Sequence, residues 1–194
     1  MKKKQIKDIP SIQTMEAELK RVKHRKRYIR VIQSTLYTLI TVAAVAALVA
    51  TLWMPVLQIH GNSMSPTMND GNILVSVKGG GYESGDIIAF YYNNKILVKR
   101  VIALPGDWVD MDENGNVFVN STLLDEPYLA EKAYGDCDLE FPYQVPAAKL
   151  FVMGDQRSVS VDSRNSGIGC IADDQIVGKI VFRVWPLSDI GAVD

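Results

Sequence analysis

The chain has 194 residues, a formal net charge of −1, and only two Cys and two His. That length allows one domain plus an appendage, and the scattered Cys and His make no metal set. The near-neutral total hides an asymmetry: residues 1–30 hold eleven Lys or Arg against three acids, a net +8, while the rest carries −9.

A basic arm of this kind suits nucleic acid. Its position directly before a long apolar segment favours a topological role instead, and no nucleic-acid partner is expected. Within the arm, Met15–Arg30 has Leu19 and Val22 among many charges and suits a surface helix. Residues 31–54 follow with no Asp, Glu, Lys or Arg. About 20 apolar residues span a bilayer core, and Tyr28 and Trp53 stand near the ends, where interfacial aromatics are common. The next Lys or Arg after the segment is Lys78. The positive-inside rule therefore places residues 1–30 in the cytoplasm, residues 31–54 across the membrane and residues 57–194 outside. A cleavable signal peptide is the competing reading, since Ala44-Val45-Ala46 resembles a cleavage site, but the apolar run exceeds the usual length of such a segment.

Past the anchor comes Gly61-Asn62-Ser63-Met64-Ser65-Pro66-Thr67-Met68. Residues 72–77 read as a strand, and Gly79-Gly80-Gly81 as a flexible turn. The three glycines lack the Gly-Lys-Ser/Thr ending and following helix of a phosphate loop. Residues 86–92, Asn93-Asn94 and residues 95–104 read as a hairpin. Its second strand carries Lys99 inside the apolar run Ile96–Ile102. A second hairpin joins residues 109–111 to 117–119 through Asn114-Gly115, a pair suited to a tight turn. Residues 150–153 and 176–184 complete a mainly β domain with no periodic helix after the anchor. Asn120-Ser121-Thr122 matches a glycosylation sequon. Cys137 and Cys170 fall in the extracytoplasmic part, where a disulfide is permitted; pairing and free thiols both remain open.

Serine at its free pKa is a poor nucleophile and needs a base within hydrogen-bond reach. Lysine serves as that base only when neutral, and burial lowers its pKa from about 10.4. Ser63 just outside a membrane and Lys99 in an apolar strand therefore point to a Ser/Lys hydrolase. Taken singly, Ser63 is a loop serine and Lys99 a lysine that strand alternation allows to face solvent.

Three segments resemble the bacterial type I signal peptidases, in that family's order and behind one anchor. They are the Ser-Met-x-Pro-Thr box at Ser63–Thr67, the segment Lys99-Arg100-Val101-Ile102-Ala103-Leu104-Pro105-Gly106-Asp107, and Gly154-Asp155-Gln156-Arg157-Ser158-Val159-Ser160-Val161-Asp162-Ser163-Arg164. The resemblance spans residues 31–186. It implies a β-rich catalytic domain, removal of signal peptides from exported preproteins, and neither cofactor nor metal. It assigns Ser63 as nucleophile, Lys99 as general base, Ser160 as the hydroxyl that bonds the lysine amine, and Asp162 with Arg164 as a bracing pair that Asp155 joins. Arg100 then faces away from Lys99 or pairs with an acid. Ile59, Met64, Met68, Leu97 and Val98 map to small apolar substrate pockets, which implies cleavage after Ala-x-Ala. The substrate adds as an extended strand. Apolar surface near Ile73 and Trp108 is expected to rest on lipid. Two positions depart from the family pattern. Gly61 stands where some members place an oxyanion-stabilising serine, and Gln156 stands where Asn is common. His60, beside the first box, reads as a loop residue.

Other functions fit less well. A processor dedicated to pilus or sortase-cluster proteins would look the same. An inactive homologue acting as an assembly chaperone would lack Ser63 or Lys99. Self-cleaving repressors share the chemistry but carry a DNA-binding domain and no anchor.

Overall fold

The computed structural model describes residues 12–193. The first eleven residues of the basic arm lie outside the described residues. Helix α1, Ile12–Trp53, runs unbroken for 42 residues. It contains no Gly or Pro, the two residues that most disfavour helix, and it stops ahead of Pro55, which restricts the residue before it. The helix therefore takes in the segment expected to be a separate surface helix. Inside the apolar stretch the hydroxyls of Thr35, Thr38 and Thr41 donate to carbonyls four residues back, at 2.8–3.0 Å. These three hydroxyls are thus satisfied within their own helix, as a hydrocarbon environment demands. No residue of α1 is buried by protein. Among the described residues it is the one helix long and apolar enough to cross a membrane. The described residues fall into two compact units, divided between Val49 and Ala50.

The second unit is almost entirely strand and turn. In chain order it holds β1 (Val56–Gln58), β2 (Ile73–Val77), β3 (Ile87–Tyr92), β4 (Lys95–Ala103), β5 (Trp108–Met111), β6 (Val117–Val119), β7 (Thr122–Leu123), β8 (Tyr143–Gln144), β9 (Lys149–Met153), β10 (Ile171–Ala172), β11 (Ile176–Trp185) and β12 (Gly191–Ala192). The larger sheet runs β1-β2-β11-β3-β4-β9-β10, with β12 also on β11. The smaller runs β7-β6-β5-β8. Every pairing is antiparallel. The mainly β expectation holds, and both expected hairpins form: β3 pairs β4 and β5 pairs β6.

Strand β4 is the centre of the domain. It is flanked by β3 and β9 and buried continuously from Val98 to Ala103. Its apolar residues feed three core clusters. Val98 packs with Met64, Met68 and Leu74. Ile102 and Ala103 pack with Val109, Phe151 and Cys170. Val101 packs with Ile88, Phe90 and Val152. A strand covered on both faces has no solvent side to offer a lysine, so both Lys99 and Arg100 are inside. Cys137 and Cys170 are free thiols, and both pack into the second cluster. Trp108 is exposed on the smaller sheet, whereas Ile73 is half-buried on the larger one and pairs with exposed Trp185.

Candidate active site

Ser63 sits in the loop that joins β1 to β2. Backbone bonds close the base of that loop: Ile59 N–H donates to Asn72 and Gly71 N–H to Ile59, at 2.8 and 3.0 Å. At the tip, Asp70 Oδ1 accepts the Gly61 N–H at 2.8 Å. Between these ties Met64 and Met68 enter the core at 2% and 0% exposure. Burying a side chain of this size contributes roughly 1.5–3 kcal/mol, so the two methionines hold the loop down and leave Ser63 half-exposed between them.

Lys99 approaches from β4. Its Nζ donates to Ser63 Oγ at 2.6 Å. Burial lowers its pKa to about 8. Asp162 and Asp155 pull the value up, and Arg164 pushes it down. Desolvation outweighs the carboxylates, so the amine is part neutral near physiological pH.

The third segment wraps this pair from behind. Gln156 N–H donates to the Ser63 carbonyl at 3.0 Å. Arg164 forks onto Asp162, Nε to Oδ1 and Nη2 to Oδ2, both at 2.8 Å. Burial would raise the Asp162 carboxyl. The Arg164 guanidinium and the Gly154 N–H outweigh it and hold the pKa below the ordinary value. Arg164 also donates to the carbonyls of Tyr134 and Arg157. Asp155 accepts Arg100 through both oxygens, at 3.0 and 2.8 Å, and Thr67 Oγ1 at 2.5 Å. It thereby ties the serine loop to the lysine strand.

Two placements differ from expectation. Ser160 is buried, but its hydroxyl makes no hydrogen bond to Lys99 or to any other described residue. It is close enough to Asp162 to favour the charged carboxylate, and the expected bond to the amine is not made. Met68 does not line the cleft beside Ser63. It is wholly buried beneath the loop, as the anchor described above. The other expected pocket residues, Ile59, Met64, Leu97 and Val98, line a cleft of about 820 Å³ between β1 and the start of β4, together with Ser63, His60 and Lys95. His60 is on the exposed rim, 4.0 Å from Asp70.

Glu126 and Tyr128 escaped the sequence reading, and Arg157 was given no role there. Arg157 and Glu126 form a fully buried ion pair through two hydrogen bonds. The Tyr128 hydroxyl donates to Glu126 at 3.0 Å, and its ring lies 4.0 Å beneath the Arg100 guanidinium. Asp125-Glu126-Pro127-Tyr128 reads as an ordinary polar loop, and the one available signal was Arg157 inside the third segment.

Residues 31–185 match the family described as "Signal peptidase, peptidase S26". The chain belongs to that family. It is 41% identical over 152 residues to signal peptidase IB of Staphylococcus aureus strain COL, covering 68% of this chain and 78% of that protein. It is 38% identical over 161 residues to signal peptidase I of Bacillus licheniformis, covering 75% and 83%. A solved signal peptidase I from Enterococcus faecalis V583 aligns with a TM-score of 0.45 at 28% identity, covering 52% of this chain and 97% of that one. Membership makes this signal peptidase a serine endopeptidase that cleaves signal peptides from preproteins.

Gly154 carries a geometric constraint of its own. A Cβ there would strike the Ser160 side chain and come within 2.5 Å of the Ser63 carbonyl oxygen. Gly154→Ala is expected to lower kcat at least tenfold by displacing the serine loop, since small misplacements of reacting groups have large effects. The domain should remain folded by circular dichroism. Unchanged turnover of a signal-peptide substrate would show that the loop absorbs the shift.

Proposed function

We propose that this signal peptidase uses Ser63 as nucleophile and Lys99 as general base, on the outer face of the membrane that α1 crosses. The observation that carries the reading is the 2.6 Å contact between Lys99 Nζ and Ser63 Oγ, made by a buried amine whose pKa is lowered to about 8. Neutral Lys99 takes the Ser63 proton as Oγ attacks the scissile carbonyl. The tetrahedral oxyanion forms beside the Ser63 N–H, an oxyanion donor. Gly61 has no side chain to add a second donor. The Lys99 ammonium then gives its proton to the leaving amine. After the signal peptide is esterified to Ser63, Lys99 takes a proton from water, hydroxide adds to the ester, and Ser63 leaves with the proton restored.

The cleft supports an extended substrate. Strand β1 ends the larger sheet, with β2 as its one partner, so its free edge offers backbone groups for β-augmentation. Ile59, Met64, Leu97 and Val98 leave shallow apolar room beside Ser63. That fits small residues such as Ala at the cut and two positions before it. Asp162, Arg164 and Asp155 brace the site, and Ser160 packs behind the base.

Detergent-solubilised enzyme incubated with a preprotein should release a new N-terminus following an Ala-x-Ala sequence. The rate should rise with pH through about 8 as Lys99 becomes neutral. Ser63→Ala and Lys99→Ala should each abolish cleavage, and the double variant should be little worse than either. Cleavage by pure Ser63→Ala enzyme would overturn the mechanism.

The orientation follows from charge. Eleven basic residues precede position 31 and none lies between there and Lys78, which favours a cytoplasmic N-terminus. Protease added to spheroplasts should digest residues 57–194 and spare the basic arm. Protection of Ser63 would place it away from exported preproteins and refute the topology.

A further inference from the structure

The segment after β7 leaves the smaller sheet and reaches the catalytic strand of the larger one. Glu126, buried, takes Arg157 on its carboxylate and the Tyr128 hydroxyl at 3.0 Å. Arg157 Nε in turn donates to the Gly154 carbonyl at 3.1 Å, so this anchor is fixed to the third segment. The Tyr128 ring is thereby held flat under Arg100, whose guanidinium carbon is 4.0 Å from the ring centroid. Burial and the Glu126 charge raise the pKa of the Tyr128 phenol, so it stays a hydrogen-bond donor throughout the working range. Above the ring, Arg100 forks onto Asp155, and its Nη1 donates to the Gly85 carbonyl at 2.8 Å. Asp155 is also the acceptor for Thr67 in the serine loop.

We propose that Tyr128 is a positioning residue for peptide-bond cleavage: its ring is the platform that keeps Arg100 seated on Asp155. This rests on the Ser63/Lys99 reading. Cation–π contact is strongest where the cation is desolvated, and Arg100 is 3% exposed. The role is electrostatic as well as mechanical. The charged groups that act on Lys99 are Asp162, Arg164 and Asp155 of the third segment; Arg100 adjoins it on β4, and Glu126 lies beyond Tyr128. Each carboxylate in this set has a guanidinium partner: Arg164 on Asp162, Arg100 on Asp155, Arg157 on Glu126. Unseating Arg100 leaves the Asp155 charge uncompensated near the Lys99 amine, which favours the ammonium and disarms the base.

The test is kcat/KM against pH for the full-length enzyme in detergent. Tyr128→Leu removes the aromatic face. Its acid limb should move to higher pH, with about tenfold lost at pH 7 for each unit of movement. The rate should converge with wild type on the alkaline plateau, and KM should hold. Tyr128→Phe keeps the face and should retain the wild-type limb. Ring-fluorinated phenylalanines at 128 keep the shape while draining the face of negative charge, so they should move the limb stepwise even if Tyr128→Leu does not fold. A limb unmoved across the fluorinated series, or a loss equal at every pH, overturns the proposal. The Ser63/Lys99 reading fails separately, by a wild-type limb that does not involve Lys99.

Discussion

Taking the Lys99 ammonium out of water is the constraint around which the catalytic half of this protein is arranged. Its pKa falls from 10.5 to about 8. A displacement of that size corresponds to about 3 kcal/mol disfavouring the folded, charged form at neutral pH. The folded pKa lies below the unfolded one, so stability is lowest under about pH 8 and rises between about 8 and 10.5, where the unfolded chain still binds the proton. The β4 strand can carry this burden because three apolar clusters are built on its other residues. On the proposed reading, what burial destabilises it also activates: the same desolvation favours the neutral amine that would accept a proton from Ser63.

The charged groups nearby follow from that arrangement. An unpaired carboxylate close to Lys99 would favour the ammonium and oppose the effect of burial. Asp162, Asp155 and Glu126 are all buried, and each is taken up by an arginine. These pairs need not stabilise the fold in net terms, because desolvation offsets much of their attraction. Their better-supported role is geometric. Through Asp155 the serine loop, the lysine strand and the third segment meet on one side chain, and Gly154 lets that segment lie against Ser63 where a side chain would collide.

Much of this was legible before the structure. The long apolar helix was legible from its length and composition, both hairpins from turn residues between apolar runs, and the family from three segments in order. The illegible parts have physical causes. Strand β1 is three residues long and follows the helix directly, too short for any period to register. Alternation along β4 could not say which of Lys99 and Arg100 faces inward, because a strand covered on both faces buries both. Met68 was expected in the pocket by resemblance, whereas a turn closed by its N–H on the Met64 carbonyl carries it into the core under the loop. Ser160 was expected to bond the amine, yet its hydroxyl is left without a partner. The Glu126–Arg157 pair joins residues 31 apart, and neither chain neighbourhood hints at the other.

The central claim is that Lys99 is a base because it is buried. Titration of the Lys99 ζ-nitrogen by NMR, in full-length enzyme labelled at lysine and held in detergent, measures this directly. The account predicts a lysine resonance that titrates near pH 8 and disappears in Lys99→Met. A Lys99 resonance that titrates near the ordinary lysine value of 10.5 would contradict it.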